Sequence, residues 1–215
     1  MKHMRKALSL FLALALVICF TVPAFAASTD NATVTVYVTQ GMFSKGGLDS
    51  NGNIEAQEFL GGNPASYLAA GYEAYPVDGL SISDDLQRYR SAYGAPSSLS
   101  NDVNVLDAIV FSLALNGISC SGGWSDYTGP NGDWATGGYI HSVDGFDATV
   151  TVTENALTIN GVNYDRYDGS GWQVVAKYPN GSFEPLANYA TNYTIVDGME
   201  IIFDFSEYTI YDVHH

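Results

Sequence analysis

Basic residues are scarce in this chain, with eight Lys and Arg against 23 Asp and Glu in 215 residues and a formal net charge of −15. A field of that sign repels phosphate backbones and anionic headgroups, which argues against nucleic acid and bare membrane as partners. A solvated acidic coat is the plain explanation, and a cationic partner the specific one. Cysteine is scarcer still, with only Cys19 and Cys120. Cys19 falls in a leader, so no intramolecular disulfide is expected and stability has to come from burial.

Catalytic signatures are missing too. The chain has no metal triad, no Gly-rich phosphate loop and no nucleophile elbow. Asp126 with Asp133, or Asp165 with Asp168, can be drawn as carboxylate pairs for glycoside hydrolysis. Each lies in a turn-rich stretch where Asp is expected anyway. Cys120 with His141 carries no nucleophile-and-base signature, and a lone strand histidine without Cys or His companions makes no zinc site. No catalytic residue is assigned, and the expectation is a non-enzyme.

What is present starts with a leader. Lys2, Arg5 and Lys6 precede an apolar run over residues 7–20, and Ala24, Phe25 and Ala26 form an A-x-A cleavage signal. Residues 1–26 read as a secretory signal peptide, so the mature chain, 27–215, is expected outside the cell or at its surface. Ile18 before Cys19 is wrong for lipidation. Cleavage removes three basic residues and no acidic one, taking the formal charge to −18. No second hydrophobic run follows, so no membrane span is expected in the mature chain. Length favours one domain.

Within it, Val34, Val36 and Val38 alternate with Thr and Tyr over residues 33–39, the period of a half-buried strand. The pattern then dissolves into Gly, Asn and Ser, and residues 40–71 read as loop with one or two short helices, the start of an insertion over about 40–100. Ser83 before Asp84 and Asp85, Leu86 and Tyr89 at spacing three, and Gly94 as a stop predict a helix within 80–93. A clearer helix follows. Asn104 can cap it, with Asp107 completing a capping box, Leu106, Ile109, Val110, Leu113 and Ala114 forming its stripe, and Gly117 ending it. Strand composition recurs at 139–143, 148–153, 157–159, 172–178 and 200–205. Asn160-Gly161, Asn180-Gly181 and Asp197-Gly198 supply turns between them. Such an order predicts an α+β domain, with a mostly antiparallel sheet packed on one main helix.

Two stretches carry candidate sites. Residues 47–60, GLDSNGNIEAQEFL, fit an EF-hand loop with Gly47 at position one, Asp49 at three, Asn51 at five, Gly52 at six, Asn53 at seven, Ile54 at eight and Glu58 at twelve. The first carboxylate is missing and no helix precedes, so Asp49, Asn51, Asn53 and Glu58 stand as a calcium candidate against a plain turn leading into a short helix. The second is aromatic. Trp124, Tyr127, Trp134 and Tyr139 flank turns at Gly129-Pro130 and Asn131-Gly132, and could stack on a small molecule, a glycan or another protein. The alternative is that the tryptophans fold back as cover for the core. Trp172, beside Gly169 and Gly171, is the fifth candidate contact.

Four segments in order, Val105 to Ile109, Tyr139 to Gly145, Gly171-Trp172 and Asp197 to Phe203, resemble the C-terminal domain of transcobalamin and the transcobalamin-like domains (domain of unknown function 4430) of secreted Gram-positive bacterial proteins. Met199 and Glu200 depart slightly from the last motif. The resemblance covers the first strand and a best-matching core of about 101–210. It implies a single β-grasp-like domain with the 40–100 region as an N-terminal loop/helix insertion. It also implies a binding role, with a corrinoid as the ligand in transcobalamin, many bacterial relatives having no known ligand, and with the Trp172 segment near the binding edge. The large helical partner domain that completes the transcobalamin site has no counterpart here. Shared fold alone transfers no ligand, and an extracellular adhesion or structural module stabilised by calcium is the alternative.

Overall fold

The computed structural model describes residues 32–70, 72, 75–77, 84–128 and 134–214. The leader, Ser83 and the turn at 129–133 lie outside them. Eleven strands, two α-helices and three short 3-10 turns fill the described residues. β1 (Val34–Gln40), β2 (Gly47–Leu48), β3 (Ile54–Glu55) and β4 (Tyr75–Val77) come first, then α1 (Asp84–Arg90) and α2 (Val105–Leu115). β5 (Cys120–Thr128), β6 (Trp134–Val143) and β7 (Phe146–Asp147) form one small sheet. β8 (Thr149–Ile159), β9 (Val162–Lys177), β10 (Glu184–Pro185) and β11 (Met199–Val213) join β1 and β4 in the main sheet.

β1 and β11 lie side by side in the middle of that sheet and run parallel, Val34 opposite Met199 through Gln40 opposite Phe205. β4 is antiparallel to β1, β9 is antiparallel to β11 along its whole length, and β8 and β10 follow each other along the far edge of β9. The fold is mixed α+β with mostly antiparallel sheets and two short helices, and it is not a barrel. Among the described residues no helix is long and apolar enough to cross a membrane.

The period of two in β1 does what alternation predicts. Val34, Val36 and Val38 join Ile201 and Phe203 of β11 in the large core under α2. The opposite face is not left to water. Met42 and Phe43, with Phe59 beside them, close a second, smaller core on Val175 and Ile202. The expected helices of 40–71 are therefore replaced by the β2–β3 hairpin and a single 3-10 turn at Pro64–Ser66. The reason is tertiary, because the bridges Phe43 to Phe59 and Thr39 to Leu68 hold this segment extended against the sheet.

α2 is built as its sequence reads. The Asn104 side chain accepts from the Asp107 N–H while Asp107 accepts from the Asn104 N–H, a complete capping box. At the other end Ile118 N–H donates to Leu113 and Gly117 N–H to Ala114, with Gly117 at φ +70°, the left-handed geometry that glycine adopts without strain. α1 runs into a 3-10 turn, Ser91–Tyr93, that stops at Gly94. One partnership gave no sequence signal. Arg90, 3% exposed, reaches Asp107, 1% exposed, through Nε and Nη2, with Nη2 to Oδ2 at 2.6 Å, and donates from Nη1 to the Ser100 carbonyl and from Nη2 to that of Asp102. Tyr93 OH donates to the same carboxylate at 2.5 Å. Burial works to lower the Arg90 pKa, but its hydrogen bonds and charge contact with Asp107 outweigh that and raise it.

Turn chemistry is partly as expected. Asn160 and Gly161 both take positive φ, +51° and +81°, and make the two-residue hairpin between β8 and β9. Asp197 Oδ1 accepts from Thr33 N–H, and Gly198 N–H donates to the Thr33 carbonyl, which ties the start of β11 to the start of β1. Asn180-Gly181 is not a two-residue hairpin, because residues 178–183 separate β9 from β10. The segments 148–153 and 157–159 are one strand, β8, interrupted by an irregularity in register between Thr153 and Leu157. β5 lies outside the stretches of strand composition. Its Ser and Gly content hid a nine-residue strand that pairs with β6 from Cys120 to Thr128.

Candidate functional site

Between the small sheet and the helix-covered face of the main sheet lies a groove of about 380 Å³. Trp172, Val174 and Phe203 line it from the main sheet, Leu106 from α2, Gly138, Tyr139 and Ile140 from β6, and residues 185–190 close the remaining side. Not one lining residue carries a charge, although the chain as a whole is at −15. Its polar lining residues are Tyr139, Tyr189, Gln173 and Asn188, of which the Gln173 amide already donates to Gln57 and the Asn188 amide oxygen already accepts from the Tyr189 N–H.

The aromatic floor is rigid. The Trp172 ring stacks on Phe203 with centroids 4.4 Å apart and planes 19° from parallel, and it meets Phe205 at 5.1 Å. Its Nε1 donates to the Phe146 carbonyl at 3.0 Å, so the indole polar edge is satisfied and its orientation fixed. The rim is tied as well. Leu186 N–H donates to the Val174 carbonyl, and Tyr189 OH shares a hydrogen bond of 2.8 Å with Ser125 Oγ on β5. Gly137 and Gly138 make the close approach possible. A Cβ on Gly137 would overlap the Tyr189 side chain, and one on Gly138 would sit 2.6 Å from the Tyr93 ring. Thr191 Oγ1 accepts from the Gly138 N–H, which locks the rim segment to β6.

Of the five aromatic candidates the groove unites two, Tyr139 and Trp172. Trp124 stacks on buried Tyr93, 6.4 Å between centroids, and so joins the core cover. The register explains it: Trp124 lies opposite Gly138 and Tyr139 opposite Gly123, so the two aromatics leave opposite faces of the hairpin. The side chains of Tyr127 and Trp134 lie outside what the structure describes. Tyr189, Phe203 and the 185–190 rim were not foreseen. The signal available was Gly137-Gly138, because paired glycines inside a strand mark a close backbone approach.

The calcium candidate is a hairpin tip. Asp49 Oδ1 accepts from the N–H groups of Asn51 and Asn53, and Oδ2 from their side-chain amides. These bonds hold the Asp49 pKa down, the side-chain bond from Asn53 most of all. Glu58 uses its N–H to reach Ser44 Oγ, beyond the short hairpin and not on a following helix. The expected turn is present, but the helix after it is not, since residues 54–59 stay extended.

Other residues weighed for chemistry are kept apart. Asp165 and Asp168, three apart on β9, leave opposite faces of the sheet. Asp165 meets His214, whereas Asp168 pairs with Arg166 and accepts from Thr209. Asp126 accepts from Thr136, while Asp133 lies outside the described residues. Burial pushes the Cys120 thiol up, away from the thiolate form, and His141 meets Ser121 at 3.4 Å instead. Among the described residues no group of three or more His, Cys, Asp and Glu is placed to hold a metal ion.

Compared with protein-family models, with curated proteins and with solved structures, the chain gives no significant match.

Proposed function

We propose that this chain is a secreted or surface-associated, non-catalytic binding module whose ligand enters the uncharged aromatic groove at Trp172. One observation carries the reading: the four segments that resemble transcobalamin-like domains each contribute a residue to the lining of that groove, Leu106, Tyr139, Trp172 and Phe203. A β-grasp-like architecture fits the strand order β4-β1-β11-β9, in which the central pair alone is parallel among the named strands. The groove chemistry selects a neutral ligand with a flat face, held chiefly by ring contact. A corrinoid is larger than the groove and would enter by one edge. A neutral glycan or a partner's side chains meet the same description. This second use, an adhesion or structural module, is the alternative.

Isothermal titration with cyanocobalamin tests the ligand. Saturable heat that disappears in Trp172→Ala and weakens in Gly137→Ala supports a corrinoid in this groove. No heat at concentrations on the order of 100 μM, where an affinity worth about 5 kcal/mol would register, removes the corrinoid and leaves the glycan or protein ligand.

A further inference from the structure

The outer edge of β8 is bare. β9 occupies one side of this strand, and no described strand pairs with the other. Residues 149–156 are all exposed, and Val150 at 60% and Val152 at 48% are among the most exposed apolar side chains of the chain. Native proteins usually blunt such an edge with a lysine, a proline or a bulge. Here the register irregularity comes only after Thr153, so a regular run of five residues, Thr149 to Thr153, stays free of all three devices and of charge.

That run reads T-V-T-V-T, the same in both directions. We propose that β8 pairs antiparallel with β8 of a second copy of this chain, about a two-fold axis through Thr151. In that register Val150 of each copy faces Val152 of the other, Thr149 faces Thr153, and Thr151 meets itself. Like faces like at every position, as an isologous contact requires, and β-branched cross-strand pairs stabilise it. Charge permits a second copy at this edge, with Asp147 and Glu154 just outside the contact. Two chains at −15 repel wherever acidic surfaces meet, and this edge presents none between residues 149 and 153. Across the axis the two sheets become one, and Val152, Tyr167 and Ile210, which share a face of the distal sheet, continue onto Val150 of the second copy. A five-residue contact is smaller than a standard interface, so the dimer is concentration-dependent, with dissociation in the micromolar range.

Sedimentation velocity of the purified chain over a series reaching on the order of 100 μM is the test. The expected result is a mass that rises toward twice the monomer. Thr151→Lys and Thr151→Glu, each placing like charges at the axis, should stay monomeric alone and associate when mixed. Thermal unfolding of each variant, unchanged from the parent at this exposed position, shows that the loss is not misfolding. A parent that is monomeric throughout overturns the proposal and leaves the edge to a strand from another protein. So does a dimer indifferent to either variant, which would form elsewhere, or variants whose mixture fails to associate, since the axis would not pass through Thr151.

Discussion

The tetrapeptide Thr-Val-Thr-Val occurs twice, at residues 33–36 and 149–152, and meets opposite fates. At β1 both valines are fully buried, while at β8 they are 60% and 48% exposed. Strand propensity is the same in both, and both become strands. The difference is what lies above and below. β1 sits between β4 and β11 with α2 on one face and residues 42–59 on the other, whereas β8 pairs with the distal half of β9, where neither cover reaches.

β9 and β11 run through both regions and change composition as they go. In the covered half they offer Trp172, Val174, Val175, Ile201, Ile202 and Phe203; in the bare half they offer Tyr164, Tyr167, Tyr208 and Tyr211. Tyrosine keeps a ring for cross-strand contact and a hydroxyl for water or a backbone partner. Tyr208 does both: its ring lies across Gly169, where a Cβ would be 2.7 Å from it, and its hydroxyl donates to the Thr149 carbonyl. Where β1 ends, Gly46 takes over the edge of β11 by bridging to Thr209.

The contrast can be broken from the covered side first. Asp107→Ala strands the buried Arg90 guanidinium and removes the α2 capping box together. A loss of about 5 kcal/mol is expected in urea unfolding. Phe203→Ala, deleting the ring on which Trp172 stacks, should cost about 3 to 5 kcal/mol. Val150→Ala on the bare side should cost under about 0.5 kcal/mol. Equal losses at Phe203 and Val150 would show that the distal sheet is as well covered as the core. Gly137→Ala lies between, at about 1 to 3 kcal/mol, because the neighbouring Tyr189 must move. A shifted Tyr189 signal with little loss of stability would show that the rim yields cheaply.

Native-state hydrogen exchange sharpens the comparison without mutation. Amides of β1 should open only with global unfolding, and those of β8 by local opening of lower free energy. The smallest effect is at the distal tip. The hydrogen bond and charge of Asp165 raise the His214 pKa above its ordinary 6.5. The raised value means that protonated His214 favours the folded tip. This contribution is complete below pH 6.5 and is lost as pH rises through the higher folded value. Asn155 N–H, which donates to the same Asp165, should therefore be better protected at low pH after correction for intrinsic exchange, and His214→Ala should flatten that dependence. Calcium is expected to leave the melting temperature unchanged, because both Asp49 oxygens already have donors; a rise erased by Asp49→Ala would reinstate the metal.

Local signals were legible wherever the physics is local. The α2 capping box at Asn104 and Asp107, the Gly94 and Gly117 stops, the Asn160-Gly161 hairpin and the alternation of β1 all depend on neighbours within a few residues, and each is found as read. Half of the groove was legible too, through Tyr139 and Trp172. Its other half was not, because Tyr189 reaches Ser125 from 64 positions away and nothing in the composition of 185–190 announces that contact.

By itself the sequence determined the acidic charge, the single cysteine of residues 27–215, the helix ends and the strand-forming stretches, since these follow from residue identity and short-range backbone preference. Tertiary structure decided which Thr-Val-Thr-Val is core and which is edge, that Asp107 is the partner of Arg90, and that Trp172 faces a neutral groove while Trp124 turns into the core. Those outcomes rest on contacts between residues distant in sequence, whose free energy comes from shared burial, and burial belongs to the packed pair and not to either residue alone.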